Sequence, residues 1–201
     1  MPHQSIDRTA ARRQASPQVG MVDPSTGETL VERDAAMVTA SDGRVVAPII
    51  GEIPRFVPFQ QLHGGYARTF GWQWKRWSQT LSDAANNNGH KHRLILERTH
   101  FNSPQYELTG RTLLECGCGS GNDTEVLLTL PLAEVHSFDL SPSVEELRPL
   151  GERAAAAGGP RLVLSQASIT EIPYADRSFD VVYCHRVLQH TPNPEASLRS
   201  I

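Results

Sequence analysis

A glycine-rich turn, ECGCGSG at residues 115–121, directly follows a short apolar run that begins at Thr112. Glycine lets the backbone turn sharply and approach a ligand closely, because it has no Cβ. From Gly110 onward, patterns typical of strands and helices alternate with short connections. This alternation predicts a parallel sheet, and ligands of such sheets bind beyond the carboxyl ends of the strands. The glycine-rich turn is therefore expected at a ligand site.

The alternating region predicts four strands and three helices. The strands are Thr112–Cys116, Val135–Asp139, Arg161–Leu164 and Phe179–Cys184. The helices are Asp123–Leu130 and two more that begin after Ser141 and Asn193, and a further helix, Leu94–Phe101, is predicted before this region. Ser141 is a favourable N-cap and Pro142 suits the first turn of a helix. The predicted fold class for residues 110–201 is α/β, a doubly wound, Rossmann-like, mostly parallel sheet.

The chain before this region divides into three segments. Residues 1–20 lack apolar periodicity and are expected to form a disordered tail. Residues 21–58 predict a small β-rich, ribbon-like module with strand-like runs at Thr29–Val31, Ala36–Thr39, Arg44–Ile50 and Arg55–Val57. Residues 59–109 are predicted to be a helical linker or lid. It contains an apolar stripe at helical spacing, formed by Tyr66, Phe70, Trp74, Trp77 and Leu81. This stripe either packs on the main domain or forms a wall of an acceptor pocket.

Charge and composition argue against several classes of protein. The formal net charge of −3 offers no excess of positive charge to a phosphate backbone, so no nucleic-acid partner is expected. No apolar run approaches the roughly 18–20 residues needed to cross a bilayer, and no apolar signal region follows the N-terminal arginines. The three cysteines, Cys116, Cys118 and Cys184, do not form a disulfide framework. We expect a cytoplasmic protein with no membrane partner.

Two acidic residues near the glycine-rich turn indicate a nucleoside ligand without phosphates. Asp139 ends the second strand of the sheet, where a carboxylate can accept hydrogen bonds from both ribose hydroxyls or, alternatively, cap the turn. The spacing Gly117-x-Gly119-x-Gly121 is tighter than the G-x-G-x-x-G of pyrophosphate-binding turns. One nucleoside ligand that carries no phosphate is S-adenosylmethionine. Its ammonium group would be stabilised by a nearby acid, and Glu115 is such an acid.

Three segments of the chain resemble successive motifs of class I S-adenosylmethionine-dependent methyltransferases of the ubiquinone-biosynthesis type. They are LLECGCGSGNDT, HSFDLSPSVEEL and SITEIPYADRSFDVVYCHRVLQHTPNPEASL. The resemblance implies a methionine subsite formed by Glu115, Gly117, Cys118, Gly119, Ser120 and Gly121. It places Asp139 on the ribose, Leu140 beside the adenine, Ser168 and Ile169 at the adenine edge, and Cys184 and His185 below the sulfonium. Ser168 stands where the family often has an acid, which puts the contact to the adenine amino group in doubt.

The segment SDGRVVAPIIGEIPRFVP, followed by YARTFGWQWKRW, is similar to the leader of many bacterial methyltransferases. Related leaders often hold zinc through paired cysteines. In this chain Asp23-Pro24 and the turn Ser41-Asp42-Gly43 occupy the corresponding regions, and residues 21–58 contain neither cysteine nor histidine. The resemblance therefore implies a module that binds no metal.

The predicted activity is transfer of a methyl group from S-adenosylmethionine to an oxygen, nitrogen or carbon atom of a small molecule. His185 and His190 are the candidate catalytic bases, although His190 could instead order the loop after the fourth strand. A base is needed only where the acceptor must lose a proton. Two alternatives remain open at this point. One is a non-catalytic fragment or binding partner that keeps half of a cofactor-binding domain, and the other is a nicotinamide-dependent oxidoreductase.

The end of the sequence carries a further expectation. The family that the chain resembles continues with three further strands, so the sheet is expected to be incomplete at its C-terminal side. The strand Phe179–Cys184 would then be an edge rich in β-prone residues, and such edges favour self-association.

Overall fold

The structure is a computed structural model that describes residues 19–57, 72, 76 and 89–201. Its N-terminal part is an antiparallel sheet with the strand order β1-β2-β3-β4. The strands are β1 (Leu30–Arg33), β2 (Ala36–Thr39), β3 (Val45–Ile50) and β4 (Ile53–Pro54). Two-residue turns with positive φ, Asp34-Ala35 and Gly51-Glu52, join β1 to β2 and β3 to β4, a geometry that suits the twist of paired strands. The predicted β-rich module is confirmed.

The C-terminal part is a parallel sheet with the strand order β7-β6-β5-β8. Its strands are β5 (Thr112–Cys116), β6 (Glu134–Asp139), β7 (Arg161–Gln166) and β8 (Val181–Cys184), and the helices are α1 (His90–Thr99), α2 (Thr124–Leu127), α3 (Arg148–Ala156) and α4 (Pro194–Arg199). Neighbouring strands are parallel throughout. The predicted α/β class is therefore confirmed. Among the described residues β8 is the outermost strand on its side, while the expected self-association stays a prediction.

Successive residues of β5 pack on opposite faces of the parallel sheet, as the pleat of a strand requires. Leu113 belongs to a buried cluster with Ile95 of α1 and Leu127 of α2. Leu114 belongs to a second cluster that includes Met37 of the N-terminal sheet. Helices thus cover one face of the parallel sheet, and the N-terminal sheet shares the core on the other face.

Backbone hydrogen bonds attach the N-terminal sheet to the outer strand β7. Arg55 pairs with Gln166 in a parallel bridge, and the Phe56 amide donates to the Gln166 carbonyl at 2.8 Å. Farther along, the Val22 amide donates to the carbonyl of Pro173 at 3.0 Å. Since Gln166 is the last residue of β7, the attachment lies at the carboxyl end of the sheet, where the ligand site is predicted.

An ion pair between a buried carboxylate and a half-exposed arginine joins two turns of the N-terminal sheet. The Asp23 carboxylate is 2% exposed and lies 2.6 Å from Nη2 of Arg44. The hydrogen bond from Arg44 holds the pKa of Asp23 well below its ordinary value, although burial acts in the opposite direction. In the second turn, the hydroxyl of Thr39 donates to Asp42. Polar side chains therefore hold these two turns together, and the absence of metal from this module stays a prediction.

Two predicted helices end earlier than expected. The helix predicted over Asp123–Leu130 is only α2, because Thr129 and Leu130 bond to carbonyls three residues back and Pro131 follows, which disfavours helical backbone at the preceding residue. The helix predicted over Leu94–Phe101 is α1. It begins four residues earlier and ends at Thr99, where His100 adopts a left-handed conformation with φ 56°.

Other predicted bounds differ in register or helix type. Ser141 caps a helical segment as predicted, but this segment begins as a 3-10 helix, Pro142–Leu147, before α3. The helix after Asn193 is confirmed as α4, with Asn193 Oδ1 accepting from the Ala196 amide at 3.0 Å. The strand predicted at Arg55–Val57 was wrong: β4 precedes it, and Arg55 forms only the bridge to β7.

Two predictions concern parts of the chain outside the described residues. Nearly all of the proposed N-terminal tail falls there, as does the apolar stripe between residues 66 and 81. Of residues 58–88 only residues 72 and 76 are described, and both are helical. In the described ranges, no helix combines the length and apolar character needed to cross a membrane.

Candidate functional site

A cavity of about 260 Å³ opens at the carboxyl ends of the parallel strands. The glycine-rich turn, the loops that follow β6, β7 and β8, and one residue of α1 form its walls. The lining residues are Lys91, Glu115, Cys116, Gly117, Cys118, Gly119, Ser120, Asn122, Asp123, Phe138, Asp139, Leu140, Ser141, Ala167, Ser168, Ile169, Tyr183, His185, Arg186, Val187, His190 and Thr191. This position is the one expected for ligands of open parallel sheets.

The carboxylate of Glu115 lies at the wall of the cavity and is 2% exposed. One of its oxygens, Oε2, accepts hydrogen bonds from the hydroxyls of Thr124 at 2.7 Å and Ser137 at 2.6 Å. Burial raises the pKa of Glu115 to about 7, because these two hydrogen bonds only partly offset the loss of solvation. A cationic ligand beside this carboxyl group would stabilise its ionised form and lower its pKa. The site therefore favours a positively charged group over a neutral one.

Asp139 connects the glycine-rich turn to the loop that follows β6. Its Oδ2 accepts from the Gly119 amide at 2.8 Å, and its Oδ1 accepts from the amide and hydroxyl of Ser141 at 2.8 and 2.7 Å. Burial nevertheless raises the pKa of Asp139 above its ordinary value. Oδ2 accepts only one of these hydrogen bonds and has a second lone pair, so capping the turn leaves Asp139 able to accept from a ligand hydroxyl.

Two glycines of the turn are required by close packing. Gly117 has φ 75°, and a Cβ on it would lie 2.5 Å from a methyl carbon of Val187. Gly121 has φ 82°, and a Cβ there would lie 2.7 Å from Leu150 of α3. Gly117 therefore lets the loop after β8 close over the cavity, whereas Gly121 faces the helix layer and does not line the cavity.

A cluster of four side chains stands at one end of the cavity, and we refer to it as the Asp123 cluster. Asp123 Oδ1 lies 2.8 Å from Nζ of Lys91. Its Oδ2 lies 2.6 Å from Nδ1 of His185 and accepts from the Tyr183 hydroxyl at 2.9 Å. Burial acts to raise the pKa of Asp123, but the hydrogen bonds from Lys91, His185 and Tyr183 outweigh it and leave the pKa below its ordinary value.

Most of the residues predicted for the cofactor site line this one cavity. The exceptions are Gly121, which packs against α3, and Cys184, which lies beside β5 in register with Cys116. Ser168 and Ile169 line the cavity, and the Ser168 hydroxyl pairs with that of Thr170 at 2.8 Å. His190 lines it from a 3-10 turn, Leu188–His190. Which of these residues bind the cofactor stays a prediction.

Several lining residues were not predicted from the sequence. Lys91 comes from α1, 21 residues before the start of β5, in a segment interpreted only as linker or lid. Asn122 and Asp123 lie just beyond the last glycine of the turn, and Asn122 Oδ1 is buried without a hydrogen-bond partner among the described residues. The signal for Asp123 was its place at the predicted start of a helix. Within the described ranges, no group of histidine, cysteine and acidic side chains is arranged to hold a metal ion.

Comparisons with known proteins match the part of the chain that forms this cavity. Residues 114–201 match the model of a family described as a methyltransferase domain. The chain is 31% identical over 110 residues to the ubiquinone biosynthesis O-methyltransferase of Xanthomonas euvesicatoria, a match that covers 54% of this chain and 44% of that protein. It is 35% identical over 92 residues to the malonyl-[acyl-carrier protein] O-methyltransferase of Halorhodospira halophila, covering 45% of this chain and 30% of that protein.

A solved structure supports the same fold. The magnesium protoporphyrin IX methyltransferase of Synechocystis, with bound SAH, superposes with a TM-score of 0.50 at 19% identity, covering 64% of this chain and 61% of that one. The chain spans less than half the length of the curated relatives it matches. Within that span the family match, the order of the strands and the position of the cavity agree. Over residues 114–201 the chain is thus similar to known methyltransferases in sequence and in fold.

Proposed function

We propose that this domain transfers a methyl group from S-adenosylmethionine to an oxygen atom of a small-molecule acceptor. The observation that carries the proposal is a pair of acidic residues on one cavity: Glu115 at the start of the glycine-rich turn, and Asp139 at the end of β6, which accepts from Gly119 of that turn. The choice of oxygen rests on the two curated relatives, whose names both describe O-methyltransferases.

The residues of the cavity fit the chemical groups of the cofactor. Glu115 and Asn122 Oδ1, which has no hydrogen-bond partner in the part of the chain that the structure describes, are acceptors suited to the ammonium group of the methionine moiety. Asp139 is suited to ribose hydroxyls, and the apolar side chains of Leu140 and Ile169 to the adenine ring. When bound, the cofactor supplies an electrophilic methyl group attached to a sulfonium sulfur.

On this proposal, the chain contributes mainly by position and orientation. Fixing two reactants in line can supply roughly 7–11 kcal/mol of the reduction in barrier. The turn at Gly117 and the loop at Val187 pack within contact distance, so the glycine-rich turn and the loop after β8 form a shared wall that limits solvent around the bound groups. We further place the protein in the cytoplasm, because its three free cysteines are typical of a reducing compartment.

Two measurements on the full-length protein test this proposal. Calorimetry should show binding of S-adenosylhomocysteine and no binding of NAD, because the tight glycine turn offers no pyrophosphate site. Incubation with S-adenosylmethionine and a panel of phenols, carboxylates and amines should release S-adenosylhomocysteine with the oxygen acceptors. Binding of NAD alone would contradict the cofactor assignment, and turnover with amines alone would contradict the choice of oxygen.

A further inference from the structure

The Asp123 cluster places a histidine and a carboxylate in the arrangement that many enzymes use for proton transfer. The 2.6 Å contact joins Asp123 Oδ2 to Nδ1 of His185, while Lys91 and Tyr183 donate to the same carboxylate. His185 also lines the cavity, and its side chain is 21% exposed. The chain turns directly after this residue, since Arg186 adopts a left-handed conformation with φ 59°.

This contact determines which nitrogen of His185 carries the proton. An ionised carboxylate accepts only, so it favours the tautomer with hydrogen on Nδ1 and leaves the lone pair on Nε2. In the described part of the chain, Nε2 has no hydrogen-bond partner. The bonds from Lys91 and Tyr183 keep Asp123 in its acceptor state, and they fix the carboxylate against rotation. The imidazole is thus oriented, with an accepting nitrogen, beside the cavity.

We propose that His185 is the general base that removes a proton from a neutral hydroxyl of the acceptor, and that Asp123 is its positioning residue. The inference rests on the proposed methyltransferase function and narrows the acceptor to a phenol or alcohol. A carboxylate acceptor is already ionised near neutral pH and needs no base. A neutral amine can attack first and lose its proton to water afterwards. A hydroxyl is a weak nucleophile until its proton leaves, so it gains more from a base in this position than a carboxylate or a neutral amine does.

The reaction balances in atoms and charge. The acceptor oxygen forms a bond to the methyl carbon while the carbon–sulfur bond of the cofactor breaks, and the electron pair of that bond remains on sulfur as a neutral thioether. The hydroxyl proton passes to Nε2 of His185. The imidazolium, stabilised by Asp123, then returns the proton to solvent. The products are a methyl ether, S-adenosylhomocysteine and one proton.

Several charged or titratable groups lie on the elements that surround His185. They are Lys91 and Arg98 on α1, Glu115 on β5, Asp123 before α2, Tyr183 and Cys184 on β8, and Arg186 and His190 after β8. A purely structural role is the competing explanation, because Asp123 also links α1 to β8 through Lys91 and Tyr183. The test must therefore separate proton transfer from folding and from cofactor binding.

The test compares His185→Gln and Asp123→Asn with a control, His100→Gln, at an exposed histidine outside the cavity. The acceptors are para-substituted phenols of graded acidity, with one alkyl amine and one benzoate. For the least acidic phenol we expect His185→Gln to lower kcat by about 10²- to 10⁴-fold, and Asp123→Asn to lower it by a smaller factor, about 10- to 100-fold, because the base itself remains. The decrease in kcat should be smaller for more acidic phenols and at higher pH, because a larger fraction of the acceptor is then already ionised. Calorimetric Kd values for S-adenosylhomocysteine should stay within about threefold.

A second readout does not depend on turnover. Nitrogen-15 NMR of the histidine rings should show hydrogen on Nδ1 of His185 in the wild-type protein and a mixture of tautomers in Asp123→Asn. Equal kcat and equal pH profiles for wild type and His185→Gln would overturn the base assignment, as would hydrogen on Nε2 in the wild-type ring. Turnover with benzoate or the amine but with no phenol would overturn the acceptor class. Failure of the wild-type protein to bind S-adenosylhomocysteine would instead contradict the proposed function itself.

Discussion

The side chain of Arg55 in the N-terminal sheet donates a hydrogen bond of 3.0 Å to the side-chain oxygen of Gln166 at the end of β7. Gln166 in turn contacts the loop after β6, because its Nε2 donates to the carbonyl of Leu140 at 2.8 Å. Leu140 follows Asp139 and lines the cavity. Arg55 is 7% exposed and also contacts Glu145 at 2.5 Å. The N-terminal sheet thus supports the loop that we assign to the adenosine part of the cofactor.

Arg55→Met should therefore weaken cofactor binding although Arg55 does not line the cavity. Loss of one hydrogen-bonded support is expected to raise the Kd for S-adenosylhomocysteine by about 3- to 10-fold and to lower thermal stability. The control is Arg148→Met, because Arg148 also bridges to the N-terminal sheet, through Glu52 at 3.2 Å, but does not reach Leu140. Equal effects of the two substitutions on Kd would show that Arg55 acts only on overall stability.

Glu115→Gln should remove a pH dependence of cofactor binding. The pKa of Glu115 is raised to about 7 by burial, so the wild-type residue is mostly protonated at pH 6 and mostly ionised at pH 8. An ammonium ligand prefers the ionised form, and affinity for S-adenosylhomocysteine should rise across this interval in wild type and stay flat in the variant. Calorimetry at pH 6, 7 and 8 measures the Kd of the wild-type protein and of the variant, with Glu146→Gln at an exposed position as control. The assignment of Glu115 to the methionine subsite fails if both proteins show the same slope.

The same substitution should change how stability depends on pH. Because the pKa of Glu115 is higher in the folded chain than its ordinary value, the folded state prefers the protonated carboxyl, and stability is lost as pH rises through that ordinary value toward about 7. Glu115→Gln should remove this loss, a difference on the order of 1–3 kcal/mol above pH 7. Urea unfolding at pH 5 and pH 8 checks this expectation.

Asp139→Ala should weaken cofactor binding by several-fold to a few hundredfold, since a charge-assisted contact contributes roughly 1.5–3 kcal/mol. It should also destabilise the fold, because the carboxylate accepts from Gly119 and Ser141. Ser141→Ala separates these effects, as it removes one donor to Asp139 and leaves the carboxylate in place. If Ser141→Ala raises Kd as much as Asp139→Ala does, capping the turn is the whole role of Asp139.

Asp23→Asn should destabilise the N-terminal sheet in a pH-dependent manner. The pKa of Asp23 lies well below its ordinary value because of Arg44, so its contribution is present above that ordinary value and is lost as pH falls toward the lowered one. We expect a loss of about 1–2 kcal/mol near pH 7, since Arg44 is half exposed and partly screened. Thermal unfolding at pH 7 and pH 3 measures it, with Asp34→Asn in a turn as control. No difference between the two variants at pH 7 would rule out a stabilising ion pair.

The alternation of strands and helices, the glycine-rich turn and half of the cavity lining could be predicted from the sequence. These features depend on neighbouring residues: the period of apolar side chains, the position of Ser141 before Pro142, and the glycines that close packing at Val187 and Leu150 requires. Asp139 could be placed as well, because the end of a parallel strand is also the edge where ligands bind. The short α2 was missed although its cause, Pro131, is equally local.

Other features were decided only by the tertiary structure. Arg55 and Gln166 are 111 residues apart in the chain, and His185 meets Asp123 across 62 residues. No spacing rule relates such pairs, since each contact exists only once the strands of the parallel sheet have paired and the N-terminal sheet has packed against β7. The sequence by itself determined which residues stand at the carboxyl ends of the strands. Burial and long-range hydrogen bonding decided the protonation state and orientation of those residues, and which of them contact the N-terminal sheet. Both depend on neighbours that only the folded chain brings together.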